Sequence, residues 1–249
     1  MKNLGFTRLI IMITVIALLM SGCELFDKNA RLKGNSEKYS LDRVETKEGS
    51  MLNGYRILYL GSSVTNGSAS MGLSFADYIA KRNNTELQKE AVNGTTLVAG
   101  KNSYIERLQR VNKAQSLDLF ICQLSTNDAT QKKPLGTPSL TDDPDTDTVC
   151  GAIEFIINYV RKTWGCPIVF YTNSYYSNEN YAKMVEALIE IAELYEVGVI
   201  DLYTDVEFNA ISNEERALYM ADSIHPTRAG YLEWWTPQFE EYLFDYLSK

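Results

Sequence analysis

His225 is the only imidazole in the 249-residue chain, and it lies in the run Ala221-Asp222-Ser223-Ile224-His225-Pro226. Imidazole is the side chain that takes up and releases a proton most readily near neutrality, which suits it to activating a hydroxyl nucleophile. Such a base needs a carboxylate on its other ring nitrogen, to fix the tautomer and to stabilise the charge that develops. Asp222, three residues upstream, supplies one if the segment is a tight loop. In a regular strand the two side chains would point to opposite faces. A histidine that merely precedes a proline in a surface loop is the alternative reading.

A hydroxyl to be activated occurs in Leu60-Gly61-Ser62-Ser63-Val64-Thr65-Asn66-Gly67, where an apolar run ends in glycine and serines. Serine and glycine also populate turns for local reasons, and a G-x-S-x-G elbow is absent. Acyl transfer further needs donors aimed at a developing oxyanion. Val92-Asn93-Gly94-Thr95-Thr96 offers a glycine amide and Ser125-Thr126-Asn127-Asp128 an asparagine side chain, with the N–H of Ser63 as a third donor. Taken singly, Asn-Gly is a common turn and Asn-Asp a common cap.

These turns must be brought together, and the pattern of elements indicates how. Apolar runs of strand length fall at Arg56 to Leu60, Leu87 to Val92, Leu117 to Leu124, Ile168 to Thr172 and Val197 to Leu202. Segments of helical period separate them, at about Ser74 to Arg82, Ser103 to Asn112, Val149 to Lys162 and Asn180 to Tyr195, with a last one from Thr227 to Leu247. In the fourth, Met184, Val185, Leu188, Ile191 and Leu194 form one apolar stripe. Alternation of this kind predicts parallel βαβ units and a sheet covered on both faces, with Ser63, Gly94 and Asn127 at its carboxyl edge. The stretch Thr130 to Thr148, with Pro134, Gly136, Pro138 and Pro144, is expected to be a long loop at that same edge. Its Asp142, Asp143, Asp145 and Asp147 lack the glycine and distal glutamate of an EF-hand, so a solvated loop ending in a helix cap is expected.

The order Gly61-Ser62-Ser63-Val64, Gly94, Asn127-Asp128, Asp222-x-x-His225-Pro226 resembles the SGNH hydrolase superfamily, the GDSL-type esterases and lipases, over roughly Tyr55 to Leu247. The resemblance implies a three-layer α/β/α sandwich with a five-stranded parallel sheet in the flavodoxin-like order 2-1-3-4-5. It implies Ser63 as nucleophile, His225 as base, Asp222 as orienting acid, and the N–H of Ser63, Gly94 and Asn127 as the oxyanion hole. It implies no metal and no organic cofactor. Two positions depart from the family pattern: Ser62 replaces the aspartate of G-D-S, and Ser125 the glycine of G-x-N-D.

Composition sets the remaining bounds. With 45% hydrophobic and 22% charged residues the chain fits one globular domain, and its net charge of −8 without clustered Lys and Arg speaks against nucleic acid as a partner. Residues 1–22 read as a signal peptide: Lys2 and Arg8, then an apolar run Leu9 to Met20 interrupted only by Thr14, then Ser21-Gly22 before Cys23. As a helix the run would rise only about 18 Å, short of the roughly 30 Å hydrocarbon core. The pattern resembles a bacterial lipoprotein signal with Cys23 lipidated, Met20 standing where leucine is usual. An ordinary signal or uncleaved anchor is the alternative. An extracytoplasmic domain is expected either way, membrane-anchored at Cys23 on the lipoprotein reading, with residues 23–53, polar and aperiodic, as a flexible tether and residues 54–249 as the domain. Cys150 and Cys166 bracket a helix and should lie roughly 20 Å apart, out of disulfide reach, while Cys122 reads as a small buried hydrophobe.

Export, the lack of a long apolar lid, and tyrosines such as Tyr175 and Tyr176 after the fourth strand point to a small acyl group on a polar alcohol. The leading expectation is an acetyl esterase on carbohydrate or envelope glycan. Lipase, lysophospholipase or thioesterase activity is the second, and a silent glycan-binding surface lipoprotein the third.

Overall fold

The computed structural model describes residues 28–249, so Cys23 and the export pattern lie outside the described residues. In strand β1 (Arg56–Gly61) the side chains alternate between two cores: Ile57 and Tyr59 face one, Leu58 and Leu60 the other. The same period of two divides β3 (Leu119–Gln123) and β4 (Ile168–Tyr171). All three strands are buried on both faces, which a parallel sheet with helices on either side requires. With β2 (Glu86–Ala91) and β5 (Gly198–Ile200) the order is β2-β1-β3-β4-β5, every pairing parallel. The five-stranded flavodoxin-like order expected from the sequence is the one found. Edge strand β2 carries Glu86, Lys89 and Glu90, charges that discourage pairing with a further strand.

The connections are helices. In chain order they are α1 (Ser63–Asn66), α2 (Phe75–Asn83), α3 (Tyr104–Arg110), α4 (Thr126–Thr130), α5 (Val149–Thr163), α6 (Glu179–Leu194), α7 (Val206–Asn209), α8 (Asn213–Tyr219) and α9 (Thr236–Leu247). Helices α3, α5 and α6 cover one face, with Tyr104, Leu108, Ile153, Ile157, Leu188 and Ile191 in the core. Helices α2 and α9 cover the other, where Phe75, Tyr171, Trp235 and Phe239 meet as an aromatic cluster. Cys122 is fully buried, and Cys150 and Cys166 are unbonded. Thr148 caps α5 by accepting from the N–H of Gly151, so the 130–148 loop ends in the expected cap.

Three expectations are corrected. Leu194 does not complete the stripe of α6: at the helix's last residue it has turned outward and is exposed. The segment Thr227 to Leu247 is not one regular helix, because a π-helical turn over Gly230–Trp235 precedes α9. Pro237, in the first turn of α9, has no N–H to give to the preceding turn, and the wider turn absorbs that loss. Most of the expected tether is not free: residues 33–43 form three short 3-10 turns against the domain, burying Asn35, Tyr39 and Ser40. Tyr78 donates to the carbonyl of Tyr39 at 2.6 Å. The segment escaped a periodicity reading because it is held by main-chain and polar groups rather than by an apolar stripe.

Glu240 on α9 fastens this segment to the core. Its buried carboxylate accepts from Arg82 Nε and Nη2 (2.9 and 2.8 Å), Lys47 Nζ (2.7 Å) and Asn83 Nδ2 (2.7 Å). Burial works to raise its carboxyl, but these donors outweigh it and hold it below the ordinary glutamate value. Glu240→Gln removes the charge that Arg82 and Lys47 share, and should cost about 3 kcal/mol in urea unfolding. A loss within error of zero would mean that solvent already screens the cluster.

Candidate active site

Sequence-distant turns converge at the carboxyl edge of β1, β3 and β4. Ser63 is the first residue of α1, directly after β1, and its hydroxyl lies 2.8 Å from His225 Nε2. His225 Nδ1 lies 2.9 and 3.0 Å from the two carboxylate oxygens of Asp222. The tight loop that the spacing demanded is present: Asp222 Oδ1 also accepts from the N–H groups of Ile224 and His225, both at 2.8 Å. Main chain and ring are thus gripped by one carboxylate, which fixes the ring's tautomer with Nε2 free to accept from Ser63.

Asp222 is more than half exposed, and the desolvation that remains still works to push its carboxyl upward. The bond and charge of His225, with the two N–H groups, outweigh that and bring it down to about 2. A carboxylate held below its unfolded value near 3.9 stabilises the fold in full above about pH 4, and the contribution is lost as pH falls through about 2. The gap in urea midpoint between wild type and Asp222→Asn should therefore close across that window. A gap that stays constant from neutrality down to pH 2 would rule out the bonded carboxylate.

The donors gather beside Ser63. Its N–H sits in the first turn of α1, where helical N–H groups have no intrahelical partner. Gly94 has φ +77°, a left-handed conformation that favours glycine, and a Cβ there would meet only open space. Asn127 Nδ2 gives one proton to the carbonyl of Thr95 at 2.9 Å, which draws the Gly94 turn and α4 together and leaves the second N–H of that amide for a ligand. Asn66 Nδ2 donates to Asn93 Oδ1 at 3.0 Å, tying the same turn to α1. All five residues expected from the sequence, Ser63, Gly94, Asn127, Asp222 and His225, thus lie on the segments that meet here.

The departures and three further residues hold the frame. Ser125 caps α4, accepting from the N–H groups of Asn127 and Asp128. Asp128 is buried and accepts from the N–H groups of Leu97 (2.8 Å) and Val98 (3.1 Å), so it staples the Gly94 loop to α4; burial nevertheless raises its carboxyl above the usual value. Gln123 Oε1 accepts from Ser62 N (2.8 Å), Ser62 Oγ (3.3 Å) and Thr65 Oγ1 (2.9 Å), gripping the nucleophile turn from beneath. A Cβ on Gly61 would stand 1.7 Å from Thr65 Oγ1, so only glycine fits. Arg107, buried on α3, donates to the carbonyls of Gly61 (2.7 Å) and Glu90 and to Thr95 Oγ1 (3.1 Å), joining the ends of β1 and β2 to the oxyanion loop. Sequence reasoning missed Gln123 and Arg107. A polar residue closing a wholly apolar strand, and an arginine on the face of Tyr104 and Leu108, were the signals available.

The model of the GDSL-like lipase/acylhydrolase family matches residues 59–232. Among solved structures, a protein of Lactobacillus plantarum is 20% identical, with 79% of this chain and 97% of that one covered at a TM-score of 0.63. A protein of Bacteroides ovatus described as a GDSL-like lipase is 18% identical, with 78% and 99% covered at 0.59. An acetyl xylan esterase is 17% identical, with 75% and 98% covered at 0.57. At these identities the likeness shows the shared fold. No curated protein matches the chain. The family match, spanning well over half of the sequence and set on the five-stranded sheet described above, makes the chain a hydrolase belonging to the GDSL-like lipase/acylhydrolase family of the SGNH superfamily.

Proposed function

We propose that the protein is a serine esterase that removes small acyl groups, acetyl above all, from carbohydrate. The observation that carries the chemistry is the Ser63–His225–Asp222 relay at 2.8 and 2.9 Å. Ser63 Oγ attacks the ester carbonyl carbon while its proton passes to His225 Nε2. The carbonyl oxygen becomes an oxyanion facing the N–H of Ser63, the N–H of Gly94 and Asn127 Nδ2. Collapse breaks the bond to the alcohol oxygen, which leaves with the proton from His225. Water then attacks the acyl-serine, gives its proton to His225, and releases the acid as Ser63 recovers its own. Asp222 stays ionised throughout and stabilises the imidazolium. Replacing Asn127 by alanine should lower kcat on p-nitrophenyl acetate by about a hundredfold or more. A loss below fivefold would remove Asn127 from the oxyanion hole.

The carbohydrate part of the reading rests on the surroundings of Asp222. A hollow of about 670 Å³ begins at Asp222 and Ser223 and is walled by Tyr175, Tyr176 and Met220, with Asn213 and Arg216 at its rim. The two tyrosines differ: Tyr176 is 7% exposed and packs on Tyr181 and Tyr203, whereas Tyr175 is 53% exposed. Tyr175 is also held in place, its N–H donating to Asn209 Oδ1 at 2.9 Å and its ring 5.3 Å from that of Tyr203. A fixed aromatic face ringed by amide, guanidinium and hydroxyl groups suits a sugar ring better than an acyl chain, which could satisfy none of them. Beyond Tyr175 a second hollow of about 510 Å³, lined by Tyr203, Val206 and Ala210, continues the groove. The acetyl xylan esterase among the neighbours is consistent with this substrate class.

The test is acetate release from acetylated oligosaccharides set beside p-nitrophenyl acetate, butyrate and octanoate, for wild type and Tyr175→Ala. Acetyl preference is expected, together with a fall of roughly tenfold or more in the variant's oligosaccharide-to-p-nitrophenyl-acetate ratio of kcat/KM. Octanoate preference, or a Tyr175→Ala effect confined to long chains, would replace the reading with a lipase. We propose further that the domain is anchored outside the cytoplasm through Cys23, a reading supported by the run Leu9 to Met20 and Ser21-Gly22-Cys23. Cys23→Ser should abolish incorporation of labelled fatty acid in a bacterial host, and persistence of label would discard it.

A further inference from the structure

We infer that Asn35, which lies outside the family-matched region, is a positioning residue that sets the alignment of Ser63 with His225. This rests on the esterase reading above. The side chain of Asn35 is buried between two loops that share no sequence neighbourhood. Its Nδ2 donates to the carbonyl of Ala69 at 2.7 Å and to that of Asn29 at 2.8 Å, and its Oδ1 accepts from the N–H of Arg228 at 2.8 Å.

Each partner is a short step from a reacting side chain. The Ala69 turn hangs directly on the nucleophile's residue, for the N–H groups of Gly67 and Ser68 both donate to the carbonyl of Ser63 at 3.0 Å. Arg228 lies three residues after His225, in a segment pinned by the Ala221 N–H to the His225 carbonyl (2.9 Å) and by the Thr227 N–H to the Tyr219 carbonyl (2.8 Å). Asn35 therefore spans the nucleophile's turn and the base's loop with one amide. Secondary bonds run the same way: Arg228 Nε donates to the carbonyl of Ser70 and Nη1 to that of Asn35, both at 3.4 Å, and Asn29 Nδ2 donates to that of Ser68 at 3.4 Å.

The fit of the strap is close. A Cβ on Gly34 would stand 2.1 Å from the carbonyl oxygen of Leu218 and 2.3 Å from Thr227 Oγ1, so the turn lies flat against the end of α8 and Thr227, which flank the Asp222–His225 segment. A polar side chain buried with both its amide protons and its oxygen engaged is costly to disrupt and holds its partners in one geometry. The nucleophile and base sit on separate pieces of chain, and their 2.8 Å contact depends on those pieces keeping register. An error of about 1 Å in such an alignment can cost on the order of a hundredfold in rate.

The experiment uses the full chain with Asn35→Ala, the milder Asn29→Ala, and Glu240→Gln as a control that loosens the same segment at Lys47, away from the reacting groups. All are assayed at a temperature where circular dichroism shows each folded. Two readouts are taken: kcat and KM on p-nitrophenyl acetate, and the rate at which a serine-directed phosphonate labels the protein. Asn35→Ala should lose roughly ten- to a hundredfold in kcat and in labelling rate alike, with KM moved less than threefold. Asn29→Ala should lose less in the same sense, and Glu240→Gln should keep both rates. Equal rate losses in Glu240→Gln and Asn35→Ala would reduce Asn35 to a stabilising residue, and unchanged rates in folded Asn35→Ala would overturn the proposal. A wild type that neither hydrolyses ester nor takes label would instead sink the esterase reading and this inference with it.

Discussion

Ser63→Ala, His225→Ala and the double variant should all fall to one residual rate of ester hydrolysis, about a millionfold below wild type in kcat. The expectation follows from the 2.8 Å contact between Ser63 Oγ and His225 Nε2. Without the hydroxyl there is nothing for the imidazole to deprotonate, and without the imidazole the hydroxyl keeps its proton. Each single variant therefore removes the whole relay, and the second substitution has nothing left to remove. His225 is the only histidine in the sequence, so no neighbouring imidazole can take over. The residual rate should stay above that in water, because the main-chain N–H of residue 63, Gly94 and Asn127 survive all three changes and still receive the oxyanion. Single-turnover kinetics with p-nitrophenyl acetate decide the matter. If the double variant's loss were the product of the two single losses, the residues would be acting independently and the relay would be wrong.

What could be read from the sequence follows from which constraints are periodic. The strands announced themselves because a parallel sheet buries both faces, as Leu58, Tyr59 and Leu60 show, and their bounds were displaced by only one or two residues. Helices α5 and α6 were legible from their apolar faces. Helices α1, α4, α7 and α8, none longer than seven residues, are too short to display a period, and each is built on a local turn or cap instead. The same limit hid the packing of residues 28–53. Asn35 and Asn29 are polar residues in a polar stretch, and nothing in their spacing reveals that segments 34 to 39 and 193 residues away supply their partners.

The candidate site divides along similar lines. Ser63, His225, Asp222, Gly94 and Asn127 could be named because ester cleavage needs those chemical groups in a particular order of turns. Gln123, Arg107 and Asp128 hold the turns through carbonyl and N–H groups, a task that many residue types perform, so their identity carries little signal. Tyr175 and Tyr176 could not be told apart in one dimension. Successive side chains in an extended loop face opposite ways, and only the placement of Tyr181 and Tyr203 shows that Tyr176 is the one turned inward.

Asp222→Asn should lower turnover by about ten-thousandfold while leaving the fold intact. The reason lies in which oxygen does what. Asp222 Oδ1 accepts from the N–H groups of Ile224 and His225, two bonds that an asparagine keeps only by placing its own carbonyl oxygen there. Its amide nitrogen must then occupy the Oδ2 position, 2.9 Å from His225 Nδ1. An amide nitrogen donates, and the carbonyl oxygen, 3.0 Å from Nδ1, is already taken up by the two main-chain N–H groups, so at the shorter contact Nδ1 accepts and the ring's proton moves to Nε2. That nitrogen then points a proton at Ser63 Oγ, where the reaction needs a lone pair, and a base has been converted into a donor. Asp222→Ala imposes no tautomer and lets water reach Nδ1, so it should retain more activity than Asp222→Asn although it removes more atoms. The order Ala above Asn in kcat is the discriminating result. If Asp222→Asn proved the better enzyme, the ring would be keeping its proton on Nδ1 beside the amide, and the tautomer argument would have to be abandoned.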